Sequence, residues 1–481
     1  MIITRFILET VTPLHCGGGD DPIFDQVVTR DAFGFWRIPG SSVAGILRSY
    51  LSQMAPEIEN TLFGYASTSS KELNDHNQAS VVWCMDAYQL DFDMQLAYKN
   101  QLEGKNVTPL GPFVRDHVNI DFKTSTATEG GKFDEEIIPP GTHFFLELRL
   151  DGYEREITPD ERDAFLKMCG AIASGELTFG GKKVSGYGRF KCYAGVGKTA
   201  YACTEYNFKN AEELEAYLNI PEAPVMELAG GTKIELESMP PVYPKDGICF
   251  DLTLPLETDG PVMVGGTSMK KEDQDVDLVC LTTPCLDYEG SDRISSFYTL
   301  PGSSFRGILR HGVYKVAKTL KLDPQEQTDA IFGYISRNGT NAACGKIQVL
   351  DVYLRKAKSI RLQHVAIDRF TGGNLQSALF DEKPVFSKGQ KIPLHLKAIS
   401  LSPKEAKLLV HALLDLCSGL IQVGGGNTRG NGRVKLQGLA EGLEKALSGQ
   451  DVSFTGTWNG RELTSSGLVD FLKELDKAEV N

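Results

Sequence analysis

The chain has 481 residues, of which 41% are hydrophobic and 23% are charged, and its formal net charge is −13 at pH 7. This length exceeds what one hydrophobic core usually organises, so two to three domains are expected. The acidic charge argues against a free-standing, non-specific nucleic-acid binder. A local basic groove is still allowed, because charges farther apart than the Debye length, about 8 Å at physiological salt, are largely screened.

Neither a membrane segment nor a disulfide framework is expected. No apolar run has the length of a membrane span, and the N-terminus is too short and too charged for a signal peptide. The ten cysteines are scattered without a C-x-x-C pair. We therefore expect free cysteines, no zinc site and a cytoplasmic protein.

The first predicted strand covers residues 2–11, and glycines and an acidic loop that contains Asp25 follow it. A turn at Pro39 and Gly40 then leads into a helix, whose free N–H groups Ser41 and Ser42 can cap. Such a helix start, with Arg48 about two turns later, is a ready site for a phosphate. The alternative is a capped helix that packs on a sheet through its glycine.

Further elements complete this first unit. A strand is predicted at residues 143–150, and Thr158 and Glu161 form a capping box for a helix that runs to about residue 175. A glycine loop at residues 180–189 precedes the last strand. Its three cations suit a phosphate chain, although hairpin turns with solvated charges are about as probable for the loop alone. These cations are Lys182, Lys183 and Arg189.

Every part returns in the same order in the second half of the chain. The repeated stations are early glycines, a Pro-Gly-Ser-Ser helix start, a Phe-Gly-Tyr segment, a strand with an aspartate, a histidine before a polar stretch, a capping box and a glycine loop. In the second half they are marked by Gly265, Pro301, Phe332, Asp351, His364, Ser402 and Gly424. This order indicates an internal duplication.

The split β-α-β pattern of each unit predicts a ferredoxin-like α+β core. We place the first domain at residues 1–195 and the second at residues 246–440. A linker with a short helix, residues 196–245, separates them, and an acidic extension, residues 441–481, follows the second.

Few residues are obvious candidates for chemistry. His15, His117 and His364 have no partner at metal or triad spacing, so satisfied structural histidines are expected. Asp25 is by default an exposed surface carboxylate. Its functional alternative is a carboxylate that holds a divalent ion or positions a ribose 2′-hydroxyl for attack on the neighbouring phosphate.

Taken together, these parts resemble the RAMP superfamily of CRISPR-associated proteins, and in particular the Cas-seven-like backbone subunits of type III effector complexes. The resemblance rests on the early glycines, the aspartate loop, the Pro-Gly-Ser-Ser helix, residues 367–372 and the glycine loops. Two fused copies resemble the fused backbone proteins of the type III-D branch. The resemblance implies tandem RRM-like domains with projecting thumb hairpins, at residues 121–135 and 368–382. It also implies three partners, namely guide RNA (crRNA), target RNA and other effector subunits, and no membrane.

By position, the resemblance implies that Asp25 and Asp277 cleave target RNA, with Mg²⁺ or another divalent cation and with Asp25 as a possible metal ligand. The long stretch between Asp277 and Pro301 holds further acids, so the second site stays open among Asp273, Asp275, Asp277, Asp287 and Asp292. The residues expected to bind RNA are Ser41, Ser42, Arg48, Lys182, Lys183, Arg189, Ser303, Ser304, Arg306, Arg310, Arg369, Arg429 and Arg433.

The leading hypothesis is therefore an RNA-binding backbone subunit with endoribonuclease activity on the guide-paired target. One alternative is the same scaffold without catalysis. A second is a guide-processing nuclease, which would need a histidine in its active loop. A metabolic enzyme or a plain oligomerisation module is a third, and the pairing of a basic glycine loop with a helix start in both repeats speaks against it.

Overall fold

The computed structural model describes residues 1–19, 21–65, 77–121, 124, 126–152, 155–195, 200–240, 242, 244, 246–336, 341–387, 389–436, 453–465 and 468–480. Phe122 and Lys123 of the first predicted thumb lie outside these residues. Among the described residues, none of the helices combines the length and the apolar composition that a membrane span requires. All ten cysteines are free, as expected.

The first repeat is built on an antiparallel sheet whose central strand comes from the N-terminus. Its strands are β1 (Ile2–Thr10), β2 (Arg37–Ile38), β3 (Val82–Cys84), β4 (Ala87–Gln89), β7 (His143–Leu150), β8 (Phe190–Cys192), β9 (Tyr201–Glu205) and β10 (Thr232–Lys233). The strand order is β10-β9-β1-β7-β4-β2, while β8 also pairs with β1 and β3 with β7. A separate hairpin of β5 (Val114–Asp121) and β6 (Thr126–Glu136) contains the predicted first thumb, but it begins at Val114 rather than at residue 121 because a whole strand pairs with β6 before the turn.

The second repeat has the same plan. Its main sheet has the order β17-β23-β11-β25-β26, and β24 also pairs with β11. The strands of this half are β11 (Gly247–Thr258), β12 (Leu278–Val279), β13 (Thr282–Leu286), β14 (Ile294–Leu300), β15 (Tyr334–Ile335), β16 (Ala342–Ala343), β17 (Ile347–Val349), β18 (Val352–Leu354), β19 (Lys358–Ser359), β20 (Leu362–Ile367), β21 (Asn374–Lys383), β22 (Val385–Phe386), β23 (Ile392–Leu401), β24 (Val434–Leu436), β25 (Ser453–Trp458) and β26 (Arg461–Ser465). The hairpin β20–β21 is the second thumb.

The helices lie against the sheets. They are α1 (Gly40–Met54), α2 (Glu59–Phe63), α3 (Ala97–Leu102), α4 (Pro159–Ala173), α5 (Ala211–Leu218), α6 (Gly302–Thr319), α7 (Pro324–Phe332), α8 (Pro403–Cys417) and α9 (Leu468–Val480), with 3-10 turns at Pro56–Ile58, Lys183–Ser185, Lys271–Asp273 and Asn427–Arg429. Helix α1 buries Val43, Leu47 and Leu51, a four-residue spacing that presents one apolar face to the core. Both predicted capping boxes are present, at Thr158 and Ser402.

The linker and the C-terminal extension each belong to a sheet. Strand β9 of the linker pairs with β1, and β25 of the extension pairs with β11. Each of these strands is followed by a helix, α5 or α9. The two tandem α+β units of ferredoxin-like type are thus confirmed.

A buried polar contact joins the two repeats. The guanidinium of Arg115, whose side chain is 1% exposed, lies 2.7 Å from the carboxylate of Asp351. Arg115 also donates to Tyr187 Oη at 3.1 Å and to Thr283 Oγ1 at 2.7 Å. Next to this contact, the 3-10 turn of the first glycine loop packs on β17 and on the start of α6.

Candidate nucleic-acid interface

Asp25 lies on an exposed loop that is hydrogen-bonded to the base of the first thumb. Its Oδ2 accepts a hydrogen bond from the backbone N–H of Asp134 at 3.0 Å, and its own N–H donates to Asp134 Oδ1 at 2.9 Å. The next residue, Gln26, forms a parallel bridge with Glu135. The second carboxylate oxygen of Asp25 has no partner among the described residues, so it is available to a ligand.

Asp277 occupies the equivalent place in the second repeat. Its Oδ2 accepts from the backbone N–H of Asp381 at 2.9 Å, and the next residue, Leu278, pairs in parallel with Glu382. Asp277 is exposed, as Asp25 is. The geometry therefore selects Asp277 as the counterpart of Asp25; whether either residue cleaves RNA stays a prediction.

The other acids considered for the second site have different surroundings. Asp273 is buried and forms an ion pair with Lys383 at 2.5 Å. Asp275 is exposed, and it is its backbone carbonyl, not its carboxylate, that accepts from Arg361 at 3.0 Å. Asp287 and Asp292 lie in the turn of the hairpin β13–β14, which contacts the first repeat rather than the second thumb.

A buried glutamate beside the docked aspartate organises the base of the first thumb. Glu135 is 0% exposed and lies 2.5 Å from His117 Nε2. It also accepts from Tyr187 Oη at 2.6 Å and forms an ion pair with Lys182. His117 stacks on Phe133 with ring centroids 4.9 Å apart, and Lys182 lies 4.8 Å from the centroid of the same ring.

The second thumb has the same cluster, assembled from partly different positions. Glu382 lies 3.0 Å from His364 Nε2, although this contact lacks the angles of a hydrogen bond, and 2.6 Å from Arg429. His364 stacks on Phe380 at 5.0 Å. The cation comes from a different residue of the glycine loop, Arg429 instead of the position equivalent to Lys182. The two repeats thus supply a cation to the buried glutamate from different loop positions. This indicates that the buried carboxylate requires a cation.

The electrostatics of these glutamates follow from their partners. Burial raises the pKa of Glu135, but the hydrogen bond from His117 and the charges of His117 and Lys182 outweigh burial and bring the pKa to about 2. Burial also raises the pKa of Glu382, and the bond and charge of Arg429 lower it by more. Both carboxylates are therefore ionised at neutral pH.

These partners were not expected from the sequence, where the histidines had no neighbour at a recognisable spacing. One signal was present: the histidine and the glutamate are equally far apart in the two repeats, at 117 and 135 and at 364 and 382.

The helix starts differ from the expectation. Pro39 and Pro301 are the N-cap residues, and the serines that follow make no side-chain cap hydrogen bond. The first helical N–H instead donates to a carboxylate from the neighbouring strands: Gly40 to Asp86 at 2.7 Å and Gly302 to Asp351 at 2.8 Å. The predicted serine caps are thus wrong, because an aspartate distant in sequence takes their place. Phosphate binding at Ser41, Ser42, Ser303 and Ser304 stays a prediction.

Most of the cations predicted to bind RNA already have carboxylate partners. Arg48 pairs with Glu59 at 2.6 Å and Arg310 with Asp329 at 2.6 Å, while Arg433 lies 3.5 Å from Asp259. Arg306 instead donates to the carbonyl of Phe332 and lies over its ring. The side chains of Arg48, Arg310, Arg429 and Arg433 are still 40%, 39%, 44% and 53% exposed. Because guanidinium has five donors, such a residue can hold a carboxylate and still contact a phosphate.

Lys183, Arg189 and Arg369 carry no carboxylate partner in the described part of the chain. Lys183 is exposed in the first glycine loop, and Arg369 lies 4.9 Å from the ring of Phe370 at the tip of the second thumb. Both thumbs carry exposed apolar side chains: Ile120 is 50% exposed, Ile367 61% and Phe370 83%.

The donor set fits a weakly held divalent ion rather than a dedicated metal centre. No group of three or more His, Cys, Asp or Glu side chains in the described residues could form a closed site. Asp25 and Asp134 lie together, however, and Mg²⁺ is usually held by one or two carboxylates together with water and substrate phosphates.

A family model described as the RAMP superfamily matches residues 7–191 and 255–435. These two regions coincide with the two repeats and together cover more than half of the chain. Among solved structures, a chain of the cryo-EM structure of the apo type III-B Cmr-beta complex aligns with a TM-score of 0.29 and 16% identity, over 39% of this chain and 95% of that chain. A chain of Cmr-beta bound to cognate target RNA aligns with a TM-score of 0.29 and 15% identity over the same shares. Likeness at this level establishes neither fold nor function. No curated protein matches the chain.

Proposed function

This chain belongs to the RAMP superfamily, and we propose that it is a backbone subunit of a type III CRISPR effector complex. In this proposal both repeats hold a guide RNA by its phosphates, and each repeat cleaves the paired target RNA once. The partners are the guide RNA, the target RNA and the other effector subunits. The fused repeats suggest the type III-D branch, which stays a prediction.

One observation carries the catalytic part of the proposal. Asp25 and Asp277 hold the same place against their thumbs, bonded to the backbone N–H groups of Asp134 and Asp381. The loops that carry them differ in length and sequence, so this coincidence is not a by-product of similar loops. Each aspartate keeps one carboxylate oxygen free beside a projecting hairpin, where a target strand can pass.

The reaction that suits this geometry is attack of a ribose 2′-hydroxyl oxygen on the adjacent phosphorus. The 2′-hydroxyl proton passes to solvent, the P–O5′ bond breaks and O5′ takes up a proton from solvent, so that the products are a 2′,3′-cyclic phosphate and a 5′-hydroxyl. The free oxygen of Asp25 has one of two roles: it orients the 2′-hydroxyl by accepting its hydrogen bond, or it holds a divalent cation, which would supply stabilisation of the charge that develops on the phosphate.

The thumbs supply the alignment that this attack needs. The nucleophile, the phosphorus and the leaving oxygen must lie nearly in line, and a flipped or kinked nucleotide reaches that arrangement more readily than one in a regular duplex. Phe370 and Ile367 in the second thumb, and Ile120 in the first, are among the exposed apolar side chains of the hairpins, and we assign them the displacement of a base.

The test uses the complex assembled with a guide of known sequence, an end-labelled complementary RNA and Mg²⁺. Wild type should give two cuts separated by the footprint of one repeat. Asp25→Asn should abolish one cut and Asp277→Asn the other, while guide binding and the unfolding free energy change little, because both residues are exposed. Asp292→Asn, an exposed acid outside the thumb base, is the matched control and should keep both cuts. A full cleavage ladder from Asp25→Asn would identify the first repeat as a scaffold without catalysis.

A further inference from the structure

Nearly every arginine in the described part of the chain has a carboxylate or carbonyl partner. The exceptions are Arg189, Arg355 and Arg369, whose guanidinium groups have neither. Arg369 lies at the tip of the second thumb. Arg189 and Arg355 line the same crevice, although one belongs to the first repeat and the other to the second. In a chain of net charge −13, two unmatched arginines in one crevice require an explanation.

The crevice lies between the repeats and has a volume of about 580 Å³. One wall is the end of α4 with strand β8, including Ser174 and Arg189, and the other is β18 and β23, including Tyr353 and His395. A volume of this size lies within the range of small-molecule sites and accommodates a nucleotide.

Its electrostatic character is positive. The one acid in its lining, Asp351, already has partners for both carboxylate oxygens, which accept from Arg115 at 2.7 Å and from the Gly302 N–H at 2.8 Å. Lys191 at the edge is paired with Glu9 at 3.0 Å. Burial, and then the charge of Arg189, lower the pKa of His395, so its ring is neutral near pH 7 and can accept or donate a hydrogen bond. The uncompensated charge is that of the two arginines.

Strand β18 and the residue after it contribute two further side chains to the crevice, Tyr353 and Arg355. The hydroxyl of Tyr353 is itself inaccessible and has no hydrogen-bond partner among the described residues, so the polar group offered at this side of the crevice is the guanidinium of Arg355. Arg355, which is held in place over the ring of Phe297 at 4.9 Å, adds a preorganised donor at the exposed rim.

We propose that this crevice binds a phosphate group of a nucleotide unit through Arg189 and Arg355. Guanidinium matches phosphate with two parallel hydrogen bonds, and a phosphate held by both arginines would offset their charge, almost fully as a monoester and by half as an RNA diester of charge −1. The phosphate can belong to an RNA backbone, in which case the site deepens the proposed function, or to a free nucleotide. In either case the ligand bridges the two repeats, because each of them supplies one arginine.

The experiment uses the purified full-length chain without guide or target. Inorganic phosphate, uridine 5′-monophosphate and a ten-nucleotide single-stranded RNA are titrated at low salt, and binding is followed by calorimetry and by the thermal midpoint. The variants are Arg189→Gln and Arg355→Gln, with Arg189→Lys as a charge-preserving variant. Arg461→Gln removes the same charge from strand β26, far from the crevice in sequence, and is the matched control.

Wild type and Arg461→Gln should bind, and each crevice substitution to glutamine should weaken binding about tenfold, the usual effect of losing one charged hydrogen bond. Arg189→Lys should recover part of the affinity. Tighter binding of the oligonucleotide than of the mononucleotide, with the same dependence on both arginines, identifies the RNA backbone as the source, and the reverse order identifies a free nucleotide. Absence of binding, or binding that neither glutamine variant alters, overturns the proposal. Cleavage at Asp25 and Asp277 is measured separately, so either idea can fail alone.

Discussion

At the scale of single residues, the ionised glutamate at the base of each thumb is the side chain whose charge affects the stability of the fold most clearly. The pKa of Glu135 is about 2 in the fold, against an ordinary value of 4.5. Because the folded value is the lower one, ionised Glu135 stabilises the fold above pH 4.5, and this contribution is lost as the pH falls from 4.5 towards 2. A difference of about 2.5 pKa units corresponds to roughly 3 kcal/mol.

We therefore predict that Glu135→Gln lowers the free energy of unfolding by about 2–4 kcal/mol at pH 7, with the loss shrinking as the pH approaches 3. Urea denaturation of both proteins between pH 7 and pH 3 measures the difference. Glu382→Gln should show the same direction, since its pKa is also lowered. Glu57→Gln, on an exposed turn, serves as the control. A loss that stays constant over this range would show that the charge of Glu135 is not what stabilises the thumb base.

Individual roles were only partly predictable from the sequence. Asp25 could be proposed because it lies in an acidic loop between two repeated motifs. The partners of Lys182 could not, since Glu135 is distant in sequence and is brought to the glycine loop only by folding of the thumb. Whether a cation is free to bind RNA depends on such contacts, which composition does not reveal.

At the scale of elements, the two glycine loops have one backbone but different neighbours. Gly186 and Gly430 occupy equivalent positions, with φ of +83° and +89°. A Cβ on Gly186 would lie 2.4 Å from the carbonyl oxygen of Val349 in the second repeat, whereas no described atom lies within 4 Å of a Cβ on Gly430. At this position the first loop packs against the second repeat, whereas no described atom packs against the second loop at Gly430.

This pair separates backbone strain from packing. Gly430→Ala should destabilise by about 1–2 kcal/mol, the cost of a positive φ. Gly186→Ala should cost about 2–5 kcal/mol, because overpacking against Val349 adds to the same strain. Equilibrium urea unfolding of the two variants gives both values. Equal losses would mean that the junction yields to a methyl group and is looser than its geometry indicates.

The thumbs are elements whose exposed side chains are not needed for folding. We predict that Phe370→Ala, at a side chain that is 83% exposed, changes the free energy of unfolding by less than about 0.5 kcal/mol. In the assembled complex it should slow the cut assigned to Asp277 and spare the one assigned to Asp25. The ratio of the two cleavage rates on one labelled RNA is the measurement. An unchanged ratio would argue against a role for this ring in aligning the target.

Elements were the level at which sequence patterns were most informative. Both capping boxes and the helix over Ala211–Leu218 were predicted, because each depends on local periodicity or on residues within one turn. The thumbs were expected only from the resemblance to the RAMP superfamily. The hairpin β13–β14 was not foreseen. In the sequence, this long stretch only added candidate acids for the second site. In the structure, Tyr288 at the turn of the hairpin packs on His143 of the first repeat, with ring centroids 4.0 Å apart.

At the scale of the whole molecule, the repeats are joined by specific contacts rather than by a flexible tether. Tyr288 donates to the Leu90 carbonyl at 2.9 Å, and the Leu286 N–H donates to Pro140 at 2.8 Å. Together with the ion pair of Arg115 and Asp351, these contacts give the junction a buried polar centre and an aromatic edge. These contacts hold the two candidate cleavage sites at a fixed separation. A fixed separation is what two cuts at a constant distance from each other would require.

The last prediction tests whether this junction makes the chain one cooperative unit. Arg115→Met leaves the carboxylate of Asp351, whose side chain is 1% exposed, without its counter-ion, and such a loss costs about 3–5 kcal/mol. Wild type should unfold in urea in one transition, and Arg115→Met in two, because the repeats then separate before either core melts. Adding Asp351→Asn should recover part of the loss: it removes the stranded charge, while the remaining amide oxygen can still accept from the Gly302 N–H. A double variant as unstable as the sum of the two single ones would show that Arg115 and Asp351 act independently, and the ion pair would then not be what couples the repeats.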